Sequence, residues 1–374
     1  MVLALILGAV LMIAADPDVA SKYSYFFVRP QDALAASWDK VSSAYIALLR
    51  GSVGSWLAIT ETTAQAAPLI CAGLAVALAF RAGLFNIGAQ GQAQWGAILG
   101  AWVGFSFTGL PMILHLPLAI VSGVLGGAIW GGIAGLLKAK TGAHEVIVTI
   151  MLNYLAVKVL DWLLLTPAFL RPGRKDPVAP IVEWNATFPR IADSRLSLGF
   201  VLALAAAFLA WWLLERTSLG FRIRAVGANP SASATAGMSV ANTTTITMTI
   251  AGAFAGLAGV QYALTPTMLT GMPDALAAGL IGTVGFDAIT VALLGRSKPL
   301  GVVLAGLLFG ALHAGGLTMQ AQAQTPNTLT AVLQALIVLF VAAPALVRTI
   351  IPFLRRRRKN HIPVAAPAKE GASA

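Results

Sequence analysis

The stretch LHLPLAIVSGVLGGAIWGGIAGLL, residues 114–137, contains no Asp, Glu, Lys or Arg. About 20 apolar residues are enough for a helix to cross the ~30 Å hydrocarbon layer of a bilayer. Within that layer the backbone must satisfy its own hydrogen bonds, which a helix does inside one segment. This stretch therefore predicts a membrane-spanning α-helix.

Similar apolar segments recur along the whole chain. Hydrophobic residues make up 58% and charged residues 10% of the 374 positions, and the mean hydropathy is +0.81. A soluble globular chain has about 25% charged residues. The predicted fold is an all-α polytopic membrane helical bundle with about 10 transmembrane helices. The apolar segments cover approximately 1–15, 61–80, 84–107, 114–137, 145–165, 196–215, 243–264, 274–294, 299–319 and 328–350.

The net charge of +11 comes from Lys and Arg placed between these segments and in the tail. In the short loops they fall on the side that also carries both termini, so the positive-inside rule predicts cytoplasmic termini. This distribution argues against nucleic acid as a partner. The predicted layout is a transmembrane domain over 1–352 and a basic, disordered cytoplasmic tail over 353–374. Its long loops are external at about 16–60 and 166–195, and cytoplasmic at 216–242.

Glycine spacing is the second organising feature. Gly123, Gly127, Gly131 and Gly135 repeat every four residues, and shorter repeats occur at 96–104, 252–256 and 306–310. At helical pitch such glycines line one face, where two backbones can approach closely. We expect tight packing within one subunit, with a dimer seam as the alternative.

A polar cluster interrupts the apolar pattern at RAGLFNIGAQGQAQ, residues 81–94. Its glycines lower helix propensity, and its amide side chains are costly in hydrocarbon. We predict a broken helix that enters a cavity, with the amides contacting a polar solute. The alternative is that the amides only bridge neighbouring helices. Candidate pathway residues here are Phe85, Asn86, Gln90 and Gln92.

Three further polar features lie in predicted spans. Phe286 and Asp287 occur in GTVGFDAITVALLG, residues 282–295, and are candidate pathway residues together with Asn153. Asp287 either pairs with Arg81 or Arg296 or faces the pathway. Lys158 and Asp161 are three residues apart on one helix, which predicts an ion pair between them.

The cytoplasmic loop contains SLGFRIRAVGANPSASATAGM, residues 218–238. Asn229 is a plausible N-cap and Pro230 a first helical residue for a short helix over 231–238. Such an exposed helix can dock into a cleft on a soluble partner. The alternative is a plain connector between two spans.

Enzyme signatures are missing from the sequence. There is no G-x-x-x-x-G-K-[ST] motif, so the chain is expected to have no ATPase site of its own. The four histidines have no metal-ligand spacing. We predict no catalytic residue, no metal and no cofactor in this chain.

Four strings resemble one protein family. They are GLFNIGAQGQ (83–92), EVIVTIMLNY (145–154), GFRIRAVGANPSASATAGM (220–238) and GFDAITVALLGRSKPLGV (285–302). The chain resembles permease subunits of bacterial ATP-binding-cassette (ABC) importers for simple sugars, branched-chain amino acids and, most closely, nucleosides. The family often has Glu where Ala89 or Gln90 stands here, which leaves the solute open.

The resemblance implies a bacterial inner-membrane location and an inverted repeat of two five-helix halves. It also implies a cytoplasmic ABC ATPase that uses ATP, a second permease and an extracytoplasmic solute-binding protein. Residues 229–238 would be the coupling helix in contact with the ATPase. The residues assigned to ATPase coupling are Arg222, Arg224, Gly227, Asn229, Pro230, Ala234 and Gly237.

The predicted function is alternating-access translocation of a nucleoside or simple sugar, driven by the separate ATPase. A self-sufficient ion-coupled secondary transporter is the main alternative, for which Asp287 or the Lys158–Asp161 pair would have to serve as the coupling site. A membrane-embedded enzyme is a third possibility, but the sequence has no catalytic constellation for it.

Overall fold

The computed structural model describes residues 2–191, 194–267 and 270–342. Over these residues the chain forms fourteen α-helices joined by turns and loops. The helices are α1 Val2–Ala15, α2 Pro17–Tyr23, α3 Pro30–Val53, α4 Trp56–Arg81, α5 Ala89–Ser106, α6 Met112–Thr141, α7 Glu145–Leu163, α8 Leu198–Arg216, α9 Ser218–Ala228, α10 Pro230–Thr235, α11 Val240–Leu264, α12 Val284–Leu294, α13 Pro299–Ala323 and α14 Asn327–Ala342.

Six helices of the described part of the chain are long and apolar enough to cross a membrane: α4, α6, α7, α8, α11 and α13. The bent pair α1 and α2, whose axes meet at 84°, would make a seventh. The predicted polytopic helical bundle is thereby confirmed. The other predicted segments form helices that are shorter or more polar. Residues 343–350 of segment 328–350 and the tail 353–374 lie outside the described residues.

Segment 274–294 differs from the expectation of a single span. Only its second half is helical, as α12, and 11 residues at 1.5 Å each are too short to cross the hydrocarbon layer. Gly279 and Gly282 have φ of 85° and 50°, a left-handed conformation that interrupts a right-handed helix. The apolar composition therefore indicated burial correctly and helix length incorrectly.

Segment 16–60 is also more ordered than a loop. It contains α2, α3 and the first turn of α4. The buried face of α3 consists mainly of small residues, including Ala44, Ala47 and Gly51, and Gly51 lies directly against Thr318 of α13. Hydropathy did not mark α3 because it carries charged residues, yet its small-residue face packs like that of a span. The side of the membrane on which it lies remains a prediction.

The centre of the bundle is formed by α4 and α11. In the 18-residue apolar stretch of α4, 83% of the residues are buried, whereas in that of α7 22% are buried. α4 packs against α11, α12 and α13, and α11 packs against α4, α5 and α6. Exchanging α4 with α11, α5 with α12 and α6 with α13 therefore reproduces these contacts.

The exchanged helices also run in opposite directions. α4 is antiparallel to α13, since Gly73 lies beside Val302 while Gly310 lies beside Ala66. α6 is likewise antiparallel to α11, since Gly123 lies beside Val260 while Gly135 lies beside Thr245. α4 ends and α11 begins at the bundle end where α9 lies, so α4 runs opposite to α11, and α6 runs opposite to α13. This arrangement is that of an inverted repeat.

The glycine repeats lie inside this bundle. A side chain at Gly256 of α11 would lie 3.0 Å from the Cα of Gly127 and 2.6 Å from the carbonyl oxygen of Gly123, both on α6. The backbones of α6 and α11 are thus in direct contact through their glycines. The prediction of close packing within one subunit is confirmed.

Candidate substrate pathway and coupling segment

The chain breaks its helical course between α4 and α5. Residues 82–88 are non-helical, with Gly83 at φ 71°. α4 ends at Arg81, at the bundle end that also carries α9 and α10, which we call the basic end. The break predicted from the polar cluster at 81–94 is confirmed.

Two buried amides hold this break in place. The Asn86 side-chain oxygen accepts a hydrogen bond from the Gly88 amide at 3.0 Å, and its Nδ2 donates to Gln92 Oε1 at 3.1 Å. Asn86 is fully buried, and Gln92 is nearly so. Because buried amides without partners are costly, these bonds stabilise one conformation of the turn.

Asn153 of α7 completes the first turn of α5. Its Oδ1 accepts from the Gly91 amide at 2.8 Å, and its Nδ2 donates to the Ile87 carbonyl at 3.0 Å. The first amides of a helix have no partner within the helix. A side chain from a neighbouring helix supplies that partner here.

Gln90 connects α5 to α12. Its Nε2 donates to the Gly282 carbonyl at 2.7 Å, and its Oε1 accepts from the Gly285 amide at 2.7 Å. The N-terminal ends of α5 and α12, one from each repeat, thus meet at one side chain. Both carry the positive ends of their helix dipoles to this point.

The other pathway candidates are more accessible. Phe85 is 43% exposed and packs on Phe80 with ring centroids 5.0 Å apart, and Phe286 is 50% exposed. Asp287 is partly exposed on the wall of a cavity. The structure therefore brings Asn86, Gln92 and Asn153 together as helix bridges. A role in solute contact remains a prediction for all of them.

Of the two alternatives for Asp287, the pairing with Arg81 or Arg296 is wrong. Arg81 donates from Nε to the Ser297 carbonyl at 2.9 Å. In the described ranges no Lys or Arg nitrogen lies within 4.0 Å of the Asp287 carboxylate. The intrahelical pair of Lys158 and Asp161 is present, with 3.1 Å between Nζ and Oδ2.

The predicted cytoplasmic loop contains two helices, α9 and α10. The Asn229 side chain accepts from the Ala232 amide at 3.0 Å, and Pro230 is the first residue of α10, both as predicted. α10 ends at Thr235 rather than at residue 238. Gly237, at φ 82°, ends it through bonds from the amides of Gly237 and Met238 to earlier carbonyls, a Schellman arrangement.

The C-terminal end of α9 lies directly on the break between α4 and α5. Gly227 contacts the Arg81 carbonyl and Ala82, and a side chain at Gly83 would lie 3.3 Å from the Gly227 Cα. Arg222, Ala234 and Gly237 are exposed. The remaining coupling candidate, Arg224, lies 3.6 Å from Glu215 of α8.

Residues 58–342 match the family described as "Branched-chain amino acid transport system / permease component". The chain belongs to this permease family. The permease is 40% identical over 329 residues to the guanosine ABC transporter permease protein NupP of Bacillus subtilis, covering 87% of this chain and 93% of that protein. No solved structure matches the permease.

Two other relatives cover most of the permease. A nucleoside ABC transporter permease of Lactococcus lactis is 35% identical over 82% of this chain and 85% of its own length. A glucose ABC transporter permease of Haloferax volcanii is 32% identical over 90% of this chain and 84% of its own length. These relatives support an ABC permease and not the ion-coupled secondary transporter.

Four polar residues of the permease were not singled out by the sequence pattern. Gln65, His313, Thr330 and Gln334 line the same cavity as Asp287. Each lies in a predominantly apolar helix and belongs to no motif with a recognisable spacing. The one signal in the sequence that could have marked them is the free-energy cost of placing a polar side chain in hydrocarbon.

Replacing Gln90 with leucine is expected to lower the stability of the permease. The change keeps the approximate volume but leaves the Gly282 carbonyl and the Gly285 amide without their partner, which costs about 1–3 kcal/mol for a buried group and less where water reaches it. Thermal unfolding of the purified protein, followed by tryptophan fluorescence, measures the shift. Gln322→Leu, at an exposed position of α13, is the control, and an equal melting temperature for both variants would contradict the bridge.

Proposed function

We propose that the permease is the membrane subunit of an ABC importer that carries a nucleoside into the cell. The observation that carries this proposal is the 40% identity to a guanosine ABC transporter permease over 87% of the chain. A nucleoside permease at 35% identity supports the same solute class. The glucose permease relative, at 32% identity, makes a simple sugar the second candidate.

The proposed partners are those of a complete ABC system. A cytoplasmic ATPase hydrolyses ATP, an extracytoplasmic binding protein delivers the solute, and a second permease, identical or related, completes the pathway. The chain itself would contribute neither an ATPase site nor a cofactor. The proposed location is a bacterial inner membrane. In the proposed orientation the basic end of the bundle and both termini are cytoplasmic, as the positive-inside rule predicts.

The proposed coupling route runs from α10 to the α4–α5 break. The ATPase docks on the exposed face of α10, and its movement passes through α9 because Gly227 lies against Arg81 and Ala82. The break is bonded to α7 through Asn153, and the first turn of α5, which follows the break, is bonded to α12 through Gln90. Movement of α9 would therefore shift the N-terminal ends of α5 and α12, which provides a physical means of alternating access.

Replacing Ala234 with arginine is expected to prevent association with the ATPase. Ala234 is exposed on α10, so the long charged side chain occupies the docking surface without entering the bundle. Co-purification of the ATPase with tagged permease measures the loss. Asp176→Arg, an exposed change in the loop at the opposite bundle end, is expected to leave association intact.

Uptake tests the transport function directly. The complete complex is reconstituted in proteoliposomes with ATP and an ATP-regenerating system in the lumen and the binding protein outside. Radiolabelled guanosine and radiolabelled glucose are then supplied in separate experiments. ATP-dependent guanosine uptake is expected. Uptake of glucose alone would favour the second candidate, and ATP-independent uptake by the permease alone would overturn the proposal.

A further inference from the structure

A cavity of about 450 Å³ lies between α4, α12, α13 and α14. Its polar lining consists of Gln65, Thr283, Asp287, Thr290, His313 and Gln334, with Thr330 beside them. Both α4 and α13 are helices that can span the membrane, and Gln65 and His313 lie well inside them. The cavity is therefore at membrane depth, and its volume falls within the ~300–1,000 Å³ typical of small-molecule sites.

The cavity wall is unsuited to lipid. Asp287 is partly exposed, and its described polar contact is a hydrogen bond from the Thr283 hydroxyl to Oδ2 at 3.0 Å. An exposed carboxylate in contact with hydrocarbon is costly, so such groups face a water-filled space or another protein group. We therefore expect the opening of this cavity to face a water-filled space or another protein group rather than lipid.

The other lining groups surround Asp287 with donors and acceptors. His313 Nε2 lies 3.2 Å from Gln334 Oε1, and Gln65 donates to Glu61 Oε1 at 2.9 Å. Glu61 in turn pairs with Arg195 at 3.0 Å. These contacts hold the side chains of Gln65, His313 and Gln334 in fixed positions on the cavity wall, as expected of a preformed polar site.

A carboxylate has two oxygens and can accept two adjacent donors at once. A nucleoside presents such a donor pair on the edge of a guanine base and another on the ribose diol. We infer that the cavity binds the transported nucleoside, with Asp287 accepting an adjacent pair of donors and Gln334 and His313 contacting the remainder of the solute. This inference rests on the proposed function and adds its binding site.

The inference is tested by guanosine uptake into proteoliposomes that contain the complete complex and its binding protein. Asp287→Asn is expected to reduce uptake at subsaturating guanosine by about 10- to 100-fold, the range for loss of a charged hydrogen bond. ATPase association is expected to stay unchanged, which shows that the complex still assembles. Asp161→Asn, which removes a carboxylate paired with Lys158 on α7, is the matched control and is expected to retain uptake.

A second variant fills the cavity from a position that does not depend on the carboxylate. Ala335 lines the cavity and is exposed, so Ala335→Phe is expected to fold and to block uptake. Val332→Phe, on α14 but outside the cavity lining, is expected to transport normally. Wild-type uptake by both Asp287→Asn and Ala335→Phe would overturn the inference. Absence of nucleoside uptake by the wild-type complex would instead overturn the proposed function.

Two guanosine analogues identify the donor pair. Inosine lacks the exocyclic amino group of the guanine edge, and 2′-deoxyguanosine lacks one hydroxyl of the diol. If Asp287 accepts the base edge, the ratio of wild-type to Asp287→Asn uptake falls towards one for inosine. If it accepts the diol, the same ratio falls towards one for 2′-deoxyguanosine, as in a double-mutant cycle. An unchanged ratio for both analogues would contradict a bidentate contact.

Discussion

Gly96→Ala is expected to destabilise the permease, whereas Gly100→Ala, one turn further along α5, is expected to leave it equally or more stable. A methyl group at Gly96 would lie 2.5 Å from the Cα of Gly256 and against its carbonyl oxygen. Backbone atoms cannot rotate away as a side chain can, so α5 and α11 would have to separate. Overpacking of this kind costs about 1–3 kcal/mol, and sometimes more.

Gly100 provides the matched control. Its added methyl group would lie 3.4 Å from the Val260 side chain and 3.5 Å from the Ala119 carbonyl oxygen, which is ordinary van der Waals contact. The change would also gain up to about 1 kcal/mol of helix propensity. Thermal unfolding of the two purified variants separates the effects. Equal melting temperatures would show that α5 and α11 do not pack through Gly96.

This pair of variants also tests what the glycine pattern predicts. Gly96, Gly100 and Gly104 have the same spacing, yet their surroundings differ: Gly96 faces a backbone, while Gly104 faces the Val182 side chain. The spacing predicted a small-residue face correctly. It could not distinguish the glycine that is essential from the one that has room, because the opposing residue comes from a distant part of the sequence.

Features with local causes were predictable from sequence. The break at 81–94 follows from glycines and amides in one short stretch, and the start of α10 follows from Asn229 and Pro230. The end of α10 was missed by a few residues because Gly237 was treated as part of the helix. Its left-handed φ of 82° is a conformation that glycine adopts readily and that ends helices.

Features that depend on distant residues were not predictable. Gln90 belongs to the first repeat, and its partners Gly282 and Gly285 belong to the second. Nothing in the spacing of either motif indicates that they meet. The polar cavity has the same origin, since Gln65 and His313 come from helices far apart in the sequence.

Gly227→Val is expected to abolish solute uptake while leaving the ATPase bound. A side chain at Gly227 would lie 2.8 Å from the Ala82 carbonyl carbon and 2.9 Å from its Cα, and against the Arg81 carbonyl oxygen. Valine would therefore move the end of α9 away from the α4–α5 break. The exposed face of α10, on which the ATPase is proposed to dock, is unchanged by this substitution.

The prediction separates docking from transmission. Co-purification of the ATPase and guanosine uptake are measured on the same preparation, with Ala228→Val, at the exposed neighbouring position, as the control that keeps both. If Gly227→Val loses the ATPase, the contact with Arg81 and Ala82 positions α10 for docking. If it keeps full uptake, the movement reaches the spans by another route, and α9 is a connector only. Loss of uptake with retained ATPase is the result expected if the break moves when α9 moves, because Gly227 lies directly against Arg81 and Ala82.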